Sequence, residues 1–342
     1  MELPEIQPLK IQRYAKILSL GKGLPENVLT NQDIIDRYQI RATDRAVKYS
    51  LGIEERRWAK PEDTVEDLMK KAVQDCLDKA QIPFEKIDRI LVARLVGDYN
   101  LPPSSIGILH KMASQKGIPA FDITSACSGF LHAMDLAIRY IDSGDDLVLV
   151  VGGGITTRAI QDWNVIDTKT IFSFGDALVA MLLGCDDQKH FFASYILTNS
   201  LLYDTALIPL GSSLLKNNNK DISWDMFNMR ISDPKGIAAS TIEYTKAIAG
   251  KLLKETGLSI EEISYFITSD QSSLLWEAQC AAIGIPKEKS MSLFHQYGNT
   301  IAAMPILNLN GLVESGKLQR DQWVMLMAHG AGASSAGMIL KY

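Results

Sequence analysis

Histidine and cysteine are scarce in this sequence, with five of the first and four of the second in 342 residues. The cysteines, Cys76, Cys127, Cys185 and Cys280, lie far apart. That scatter excludes the close ligand spacing of a structural metal site and the pattern of a disulfide framework. Positive charge is not in excess either. Lysine and arginine total 35 against 40 acidic residues, a net charge of −5. The electrostatic footprint of a nucleic-acid binder is therefore missing, and so is a basic membrane-surface patch. No apolar run reaches the roughly 20 residues of a membrane helix. The opening segment "MELPEIQPLKIQRYAKIL" lacks the charged-then-apolar pattern of a signal peptide. These absences point to a reduced, cytoplasmic chain without nucleic-acid or membrane partners.

Apolar residues are plentiful, at 46% of the sequence, enough for one large domain or two fused ones. Strand-like and helix-like stretches alternate along most of the chain, which predicts α/β layers. Three blocks recur in the same order. "AVQDCLDKAQIPFEKIDRILVARL" parallels "IAGKLLKETGLSIEEISYFITSD", each reading as helix, loop and strand. "IGILHKMASQKGIPAFDIT" parallels "LLWEAQCAAIGIPKEKSMSLF", each a helix closed by Gly-Ile-Pro. "CSGFLHAMDLAIRYIDSGDDLVLVVGGG" parallels "GNTIAAMPILNLNGLVESGKLQRDQWVMLMAHGAG", each a helix with a Ser-Gly stop, an apolar strand and a glycine cluster. Matched blocks in matched order predict a duplication. The expected halves are residues 1–190 and 191–342.

One cysteine occupies a particular place. In "DITSACSGFLHAMDLAIRYIDSG" an extended approach ends near Thr124, and Phe130 to Ile141 carries a helical apolar stripe. Cys127 falls at the join, among Ser125, Ser128 and Gly129. A thiol at a helix start meets the positive end of the helix dipole and unpaired backbone N–H groups. Both favour a nucleophilic thiolate, and the amides can hold an oxyanion formed on a thioester carbonyl. Asn299 stands where the second half also passes from an extended piece into a helix. Asp270 ends the strand "YFITSD", and ligands of α/β sheets gather at such strand ends. If the halves pack about a pseudo-twofold axis, these residues meet in one crevice. Gly330, Ala331 and Gly332 have little bulk to block a second backbone donor there.

"AFDITSACSGFLHAMDLAIRYIDSG", "FSFGDALVAMLLG", "QYGNTIAAMPILNLNGLVESGKLQRDQWVMLMAHGAGASSAG" and "LGIEERRWAKPEDTVEDL" together resemble β-ketoacyl-ACP synthase III and its relatives in the thiolase superfamily. The resemblance runs from about Ile17 to the C-terminus. It implies a five-layered αβαβα thiolase-like fold with duplicated halves, usually as a homodimer, while departures from the family pattern at other positions leave open a heterodimer with a related subunit. It also implies acyl-CoA or acyl-carrier-protein thioesters as substrates, with no bound cofactor and no metal. On this resemblance Cys127 is the acylated nucleophile, and Asn299 helps stabilise the enolate left by decarboxylation of a malonyl group. The backbones of Cys127 and Ala331 form the oxyanion hole.

The pattern also breaks. Where the family has His-Gln-Ala-Asn, this chain reads "DQSS", so the histidine position is Asp270, with Gln271 retained. An ionised carboxylate would repel the oxyanion that an imidazole stabilises. A raised pKa would instead make Asp270 a protonated donor or a general base. His329, where the family commonly has phenylalanine, is the candidate to replace the lost donor. His295 is a weaker one, and His110 and His132 read as ordinary helix residues. The tryptophan and arginine that clamp coenzyme A correspond to Ala46 and Ser50. A second clamp arginine corresponds to Thr168, beside Lys169, and a carrier-docking arginine to Leu275. Leu178 and Val179 replace glycines of the family's "GDGAGA" strand. These losses point away from an acetyl-CoA-primed housekeeping enzyme and toward specialised lipid or polyketide metabolism.

Three readings follow. The first is a condensing enzyme that loads Cys127 and joins the acyl group to a malonyl or β-ketoacyl thioester. The second passes the acyl group to an alcohol or amine without decarboxylation, with Asp270 or His329 as base. The third is a non-catalytic scaffold subunit paired with an active ketosynthase-like partner.

Overall fold

The computed structural model describes residues 13–95, 97–160, 170–208, 228–330 and 334–342. Two sheets organise them. The first contains β1 (Tyr14–Gly23), β2 (Arg89–Arg94), β3 (Ala120–Ile123), β4 (Leu147–Gly154) and β5 (Ala177–Asp186), in the order β1-β5-β4-β2-β3. The second contains β6 (Phe191–Thr198), β7 (Tyr265–Ile267), β8 (Trp323–Gly330) and β9 (Ser334–Lys341), in the order β7-β8-β9-β6. The chain crosses from one sheet to the other between Asp186 and Phe191.

The pairing signs repeat between the sheets. In the first, β2 runs parallel to β4, β4 antiparallel to β5, and β5 antiparallel to β1. In the second, β7 runs parallel to β8, β8 antiparallel to β9, and β9 antiparallel to β6. Even β3, parallel to β2, has a remnant opposite number in the parallel bridge from Phe266 to Ser290.

The helices repeat as well. In the first half they are α1 (Val65–Ala80), α2 (Ser104–Lys111) and α3 (Gly129–Asp142). Their counterparts are α4 (Pro234–Thr256), α5 (Ser273–Ile283) and α6 (Met304–Glu314). The third pair both stop at a Ser-Gly step, Ser143-Gly144 and Ser315-Gly316, with the glycines at φ 127° and 68°. Only glycine takes such angles at little cost, which is why the helices end there.

Burial assigns the layers. Side chains of α3 and α6 pack with those of both sheets in one core that includes Phe130, Met134, Ile138, Ile306, Leu309 and Leu326. A helix apolar on most sides belongs inside a structure rather than on its surface. Outside the first sheet, α1 contributes Leu68, Met69, Ala72 and Val73 to a second core. Outside the second sheet, α4 and α5 close a third with Tyr244, Ile248, Leu252 and Cys280. The layering is thus αβαβα. Strand β4 reads "LVLVVGGG" without alternation because it is covered on both faces. Leu178 and Val179, on β5, are likewise fully buried and belong to this packing.

A smaller cluster lies under two short helices, Asn31–Tyr38 and Asp44–Leu51, where Ile34, Ile53, Trp58, Phe172 and Phe294 pack together. Arg56 is buried among them and donates to Asn31 Oδ1 and the Phe172 carbonyl, both at 2.7 Å. Burial lowers its pKa to about 10. Among the described residues no helix is long and apolar enough to cross a membrane, and no group of three or more His, Cys, Asp or Glu could hold a metal ion.

Candidate active site

Cys127 lies in a 3-10 turn, Ala126–Ser128, that runs straight into α3. The residue before it, Ala126, has φ 46°, a left-handed angle that residues other than glycine adopt rarely and at a cost. This sharp entry turns the cysteine out of the strand direction at the head of the helix. Three of the labelled helices are capped by side chains: Thr64 caps α1, Asp233 caps α4 and Ser272 caps α5. No side-chain cap bond is made at the start of α3. The Ser128 hydroxyl instead donates back to the Ser125 carbonyl at 2.8 Å. The Gly129 amide is bonded to the Ala126 carbonyl, so no side chain caps this helix start.

The second half supplies Asn299. Its backbone is tied to the first half: Asn299 N donates to the Ser173 carbonyl at 2.7 Å, and a parallel bridge joins it to Phe174. Its side-chain oxygen accepts from Ile301 N at 2.9 Å. An amide oxygen held by a backbone N–H fixes which end of the side chain is nitrogen. The Nδ2 group is then the free end, and it makes no hydrogen bond among the described residues.

Cys127 and Asn299 line one cavity of about 220 Å³ together with Leu95, Phe174, Met229, Gln271 and Ile301. A second, larger cavity of about 490 Å³ shares the walls Leu95, Ala126, Ala206 and Met229 and carries Arg94, Asp98 and Arg158. The two strands of the β8–β9 hairpin end against the cysteine turn. A Cβ placed on Gly330 would stand 3.1 Å from the Ser125 carbonyl oxygen and 3.3 Å from Ala126 Cβ, so the strand end approaches the cysteine turn closely. Across the hairpin, the Ser125 hydroxyl donates to Ser334 Oγ at 2.9 Å. Ala331 and Gly332, between β8 and β9 in sequence, are outside the described residues, as are Thr168 and Lys169.

Asp270 is fully buried but does not line this cavity; its neighbour Gln271 does. Asn308 Nδ2 donates to Asp270 Oδ2 at 2.8 Å and to the Thr268 carbonyl at 3.2 Å, while Asn308 Oδ1 accepts from Leu293 N. Burial raises the carboxyl pKa to about 7, with Asn308 and the Ser292 hydroxyl pulling it back. The carboxyl is thus held by α6 behind the cavity wall, which corrects the expectation that it faces the cysteine.

His329 requires a similar correction. Nε2 lies 3.0 Å from Thr245 Oγ1 and Nδ1 lies 3.0 Å from Ser335 Oγ, so hydroxyls occupy both ring nitrogens. Burial lowers its pKa to about 4, keeping the ring neutral. It is a satisfied core histidine and does not line the cavity. His295 and His110 are exposed.

His132, read from the sequence as an ordinary helix residue, is one turn into α3 and is not ordinary. Its Nδ1 lies 2.9 Å from the Ser128 carbonyl and its Nε2 3.3 Å from Ser334 Oγ. The only sequence signal for this was its i+4 spacing from Ser128. Leu275 is buried under the Ser272 cap of α5 and so is not a surface contact. Ala46 and Ser50 are exposed on the helix Asp44–Leu51.

Comparisons with known proteins agree on one family. The profile of 3-oxoacyl-(acyl-carrier-protein) synthase III matches residues 121–200, and that of its C-terminal part matches residues 253–342. The β-ketoacyl-(acyl-carrier-protein) synthase III of Aquifex aeolicus is 30% identical over 328 residues, covering 96% of this chain and 99% of that protein. A crystal structure of the 3-oxoacyl-(acyl-carrier-protein) synthase III from Aquifex aeolicus superposes with a TM-score of 0.86 at 28% identity, covering 96% of this chain and all of that one. A priming β-ketosynthase of a polyketide biosynthetic pathway gives a TM-score of 0.88 at 24% identity over the whole chain and 98% of its own, which speaks to the fold.

Proposed function

The chain belongs to the 3-oxoacyl-(acyl-carrier-protein) synthase III family, and from that premise we propose that Cys127 carries the acyl group and Asn299 serves the enolate that attacks it. The observation that carries this reading is the single cavity lined by both side chains, with the Asn299 amide oxygen already engaged and its Nδ2 end available.

In the first step the Cys127 thiolate attacks a thioester carbonyl. The tetrahedral oxyanion is met by backbone N–H groups of the turn, with Ala331 the proposed second donor, and the donor thiol leaves. In the second step a malonyl thioester loses carbon dioxide. The electron pair of the broken C–C bond becomes the enolate, whose oxygen accepts from Asn299 Nδ2. The enolate carbon then attacks the acyl-cysteine carbonyl, forming the new C–C bond and releasing the Cys127 thiolate. Donor and acceptor are acyl-carrier or coenzyme A thioesters, and the working unit is a dimer in the cytoplasm. The replacement of both clamp residues by Ala46 and Ser50 supports a carrier-borne donor in specialised lipid or polyketide metabolism.

The Asp270 geometry favours a second reading. With that carboxyl sequestered by Asn308 and His329 satisfied by Thr245 and Ser335, neither residue supplies the second enolate donor of the family pattern. A site that keeps acylation but lacks full enolate stabilisation would pass the acyl group to an alcohol or amine. A built cavity beside a shaped cysteine turn speaks against a non-catalytic scaffold.

Carboxyl-labelled malonyl thioester supplied to the acylated enzyme separates these readings. Release of labelled carbon dioxide with a lengthened product supports condensation. Acyl transfer without release supports the second reading. Failure of any donor to acylate Cys127 overturns both.

A further inference from the structure

Side chains on either side of Cys127 in the chain form a closed hydrogen-bonded circuit with Ser334. A carbonyl oxygen can only accept, so His132 Nδ1 carries the proton it gives to the Ser128 carbonyl. In the uncharged ring Nε2 is then an acceptor, and the Ser334 hydroxyl donates to it. Ser334 Oγ in turn accepts from the Ser125 hydroxyl, and the Ser128 hydroxyl donates to the Ser125 carbonyl. The ring runs Ser125, Ser334, His132, Ser128 and back to Ser125. Cys127 falls between Ser125 and Ser128 in the turn that the circuit spans.

Three of these residues belong to the cysteine turn and its helix, but Ser334 opens β9 in the other half of the molecule. It pairs across the hairpin with Gly330, whose backbone runs close beside Ser125 and Ala126. The circuit therefore fastens the turn that holds the thiol to the ends of β8 and β9. A strained turn persists only where its surroundings over-determine it, and Ala126 at φ 46° is such a turn.

We propose that His132, acting through Ser334, is a positioning residue for Cys127: the Nδ1-protonated ring locks the cysteine turn against the β8–β9 hairpin and so sets the geometry in which the thiol reacts. This rests on the reading of Cys127 as nucleophile. Its test therefore uses a probe that needs no acyl substrate as well as one that does.

The probes are iodoacetamide, with the rate of Cys127 alkylation followed by peptide mass spectrometry, and an acyl thioester. The variants are His132→Phe, Ser334→Ala, their double, and Ser334→Thr, which keeps the hydroxyl. The fraction folded is set by thermal melts. Each of the first two is expected to slow both reactions per folded molecule by about tenfold or more, a misplacement effect on kcat rather than KM. The double variant is expected to be no slower than the worse single, since both cut one circuit. Ser334→Thr is expected to stay within about threefold of the parent, because the circuit needs only the hydroxyl. Rates within about twofold of the parent in folded His132→Phe would overturn the proposal. So would losses that multiply in the double variant, or a lowered melting temperature with unchanged rates per folded molecule. If His132→Phe does not fold, Ser334→Ala decides alone, since it leaves the helix intact. Failure of every thioester to acylate the parent sinks the functional reading, while alkylation still decides the clasp.

Discussion

Ala126, at φ 46°, and Ile301, at φ 57°, occupy the same place in the two halves. Each opens a 3-10 turn, Ala126–Ser128 and Ile301–Ala303, and each turn runs directly into a central helix without a side-chain cap bond. The next residue is Cys127 in one half and Ala302 in the other. The second half keeps its polar group two positions earlier, at Asn299, where the first half has Thr124. A duplicated fold thus supplied two copies of one strained turn. The copies differ in which position carries the heteroatom: a thiol at the helix head in one, and in the other an amide whose oxygen is held by its own turn. The turn shape alone confers nothing, because Ala302 is fully buried and does not line the cavity.

Moving the thiol is the sharpest way to break this comparison. Cys127→Ala is expected to lower turnover by at least about a thousandfold, since the covalent step has no substitute. Adding Ala302→Cys to that variant should not restore activity or yield an acyl adduct, as steady-state assay and intact mass would record. An adduct at position 302 would mean the two turns are interchangeable.

Asn299→Ala comes next. Losing one donor to a developing oxyanion costs about a hundredfold to a thousandfold, so condensation should fall by that factor. Acylation of Cys127 should change by no more than about threefold, because Asn299 serves only the second step. Pre-steady-state acylation measured beside product formation would reveal equal losses in both steps, and that would contradict the division of labour.

Asp270 offers a test on stability. In the unfolded chain it ionises near 3.8, while the folded chain holds its proton to about 7 because burial penalises the charge. Between those values the folded state binds more protons, so this contribution is present at low pH and lost as pH rises. Relative to Asp270→Asn, the parent should lose stability from pH 4 to pH 7, with about 4 kcal/mol as the upper bound. Taking the difference between the two proteins cancels the opposing contribution of His329. Urea denaturation across that range would show a flat difference if Asp270 were ionised in the fold.

The smallest effects separate the two strained residues. Ala126→Gly relieves the left-handed angle but loosens the unfolded chain, for a net change within about 1 kcal/mol. Ile301→Gly also deletes a side chain only 2% exposed and should cost about 2 kcal/mol or more. Equal responses by denaturant titration would indicate that the turns are not held alike.

Much of this was legible in the residues. Block-by-block repetition marked the duplication because each half must bury the same helix and cover the same strands. Cys127 stood out through local pattern, an extended approach followed by a helical stripe. Asn299 was singled out through its Gly-Asn-Thr context. What escaped depended on contacts between distant segments. Asp270 is turned away by Asn308, 38 residues on, and neither residue announces the other. His329 is satisfied by Thr245, 84 residues away, so its position before a glycine loop misled. The bond from His132 to Ser334 spans 202 residues and has no periodicity to betray it.

Intact-protein mass spectrometry after incubation with a panel of acyl-CoA and acyl-carrier thioesters, beside Cys127→Ala, tests the central claim most directly. An acyl adduct that vanishes in the variant is the expected result, and its mass preference would name the substrate class. A folded parent that takes no acyl group from any donor, or an adduct that survives in Cys127→Ala, would contradict it.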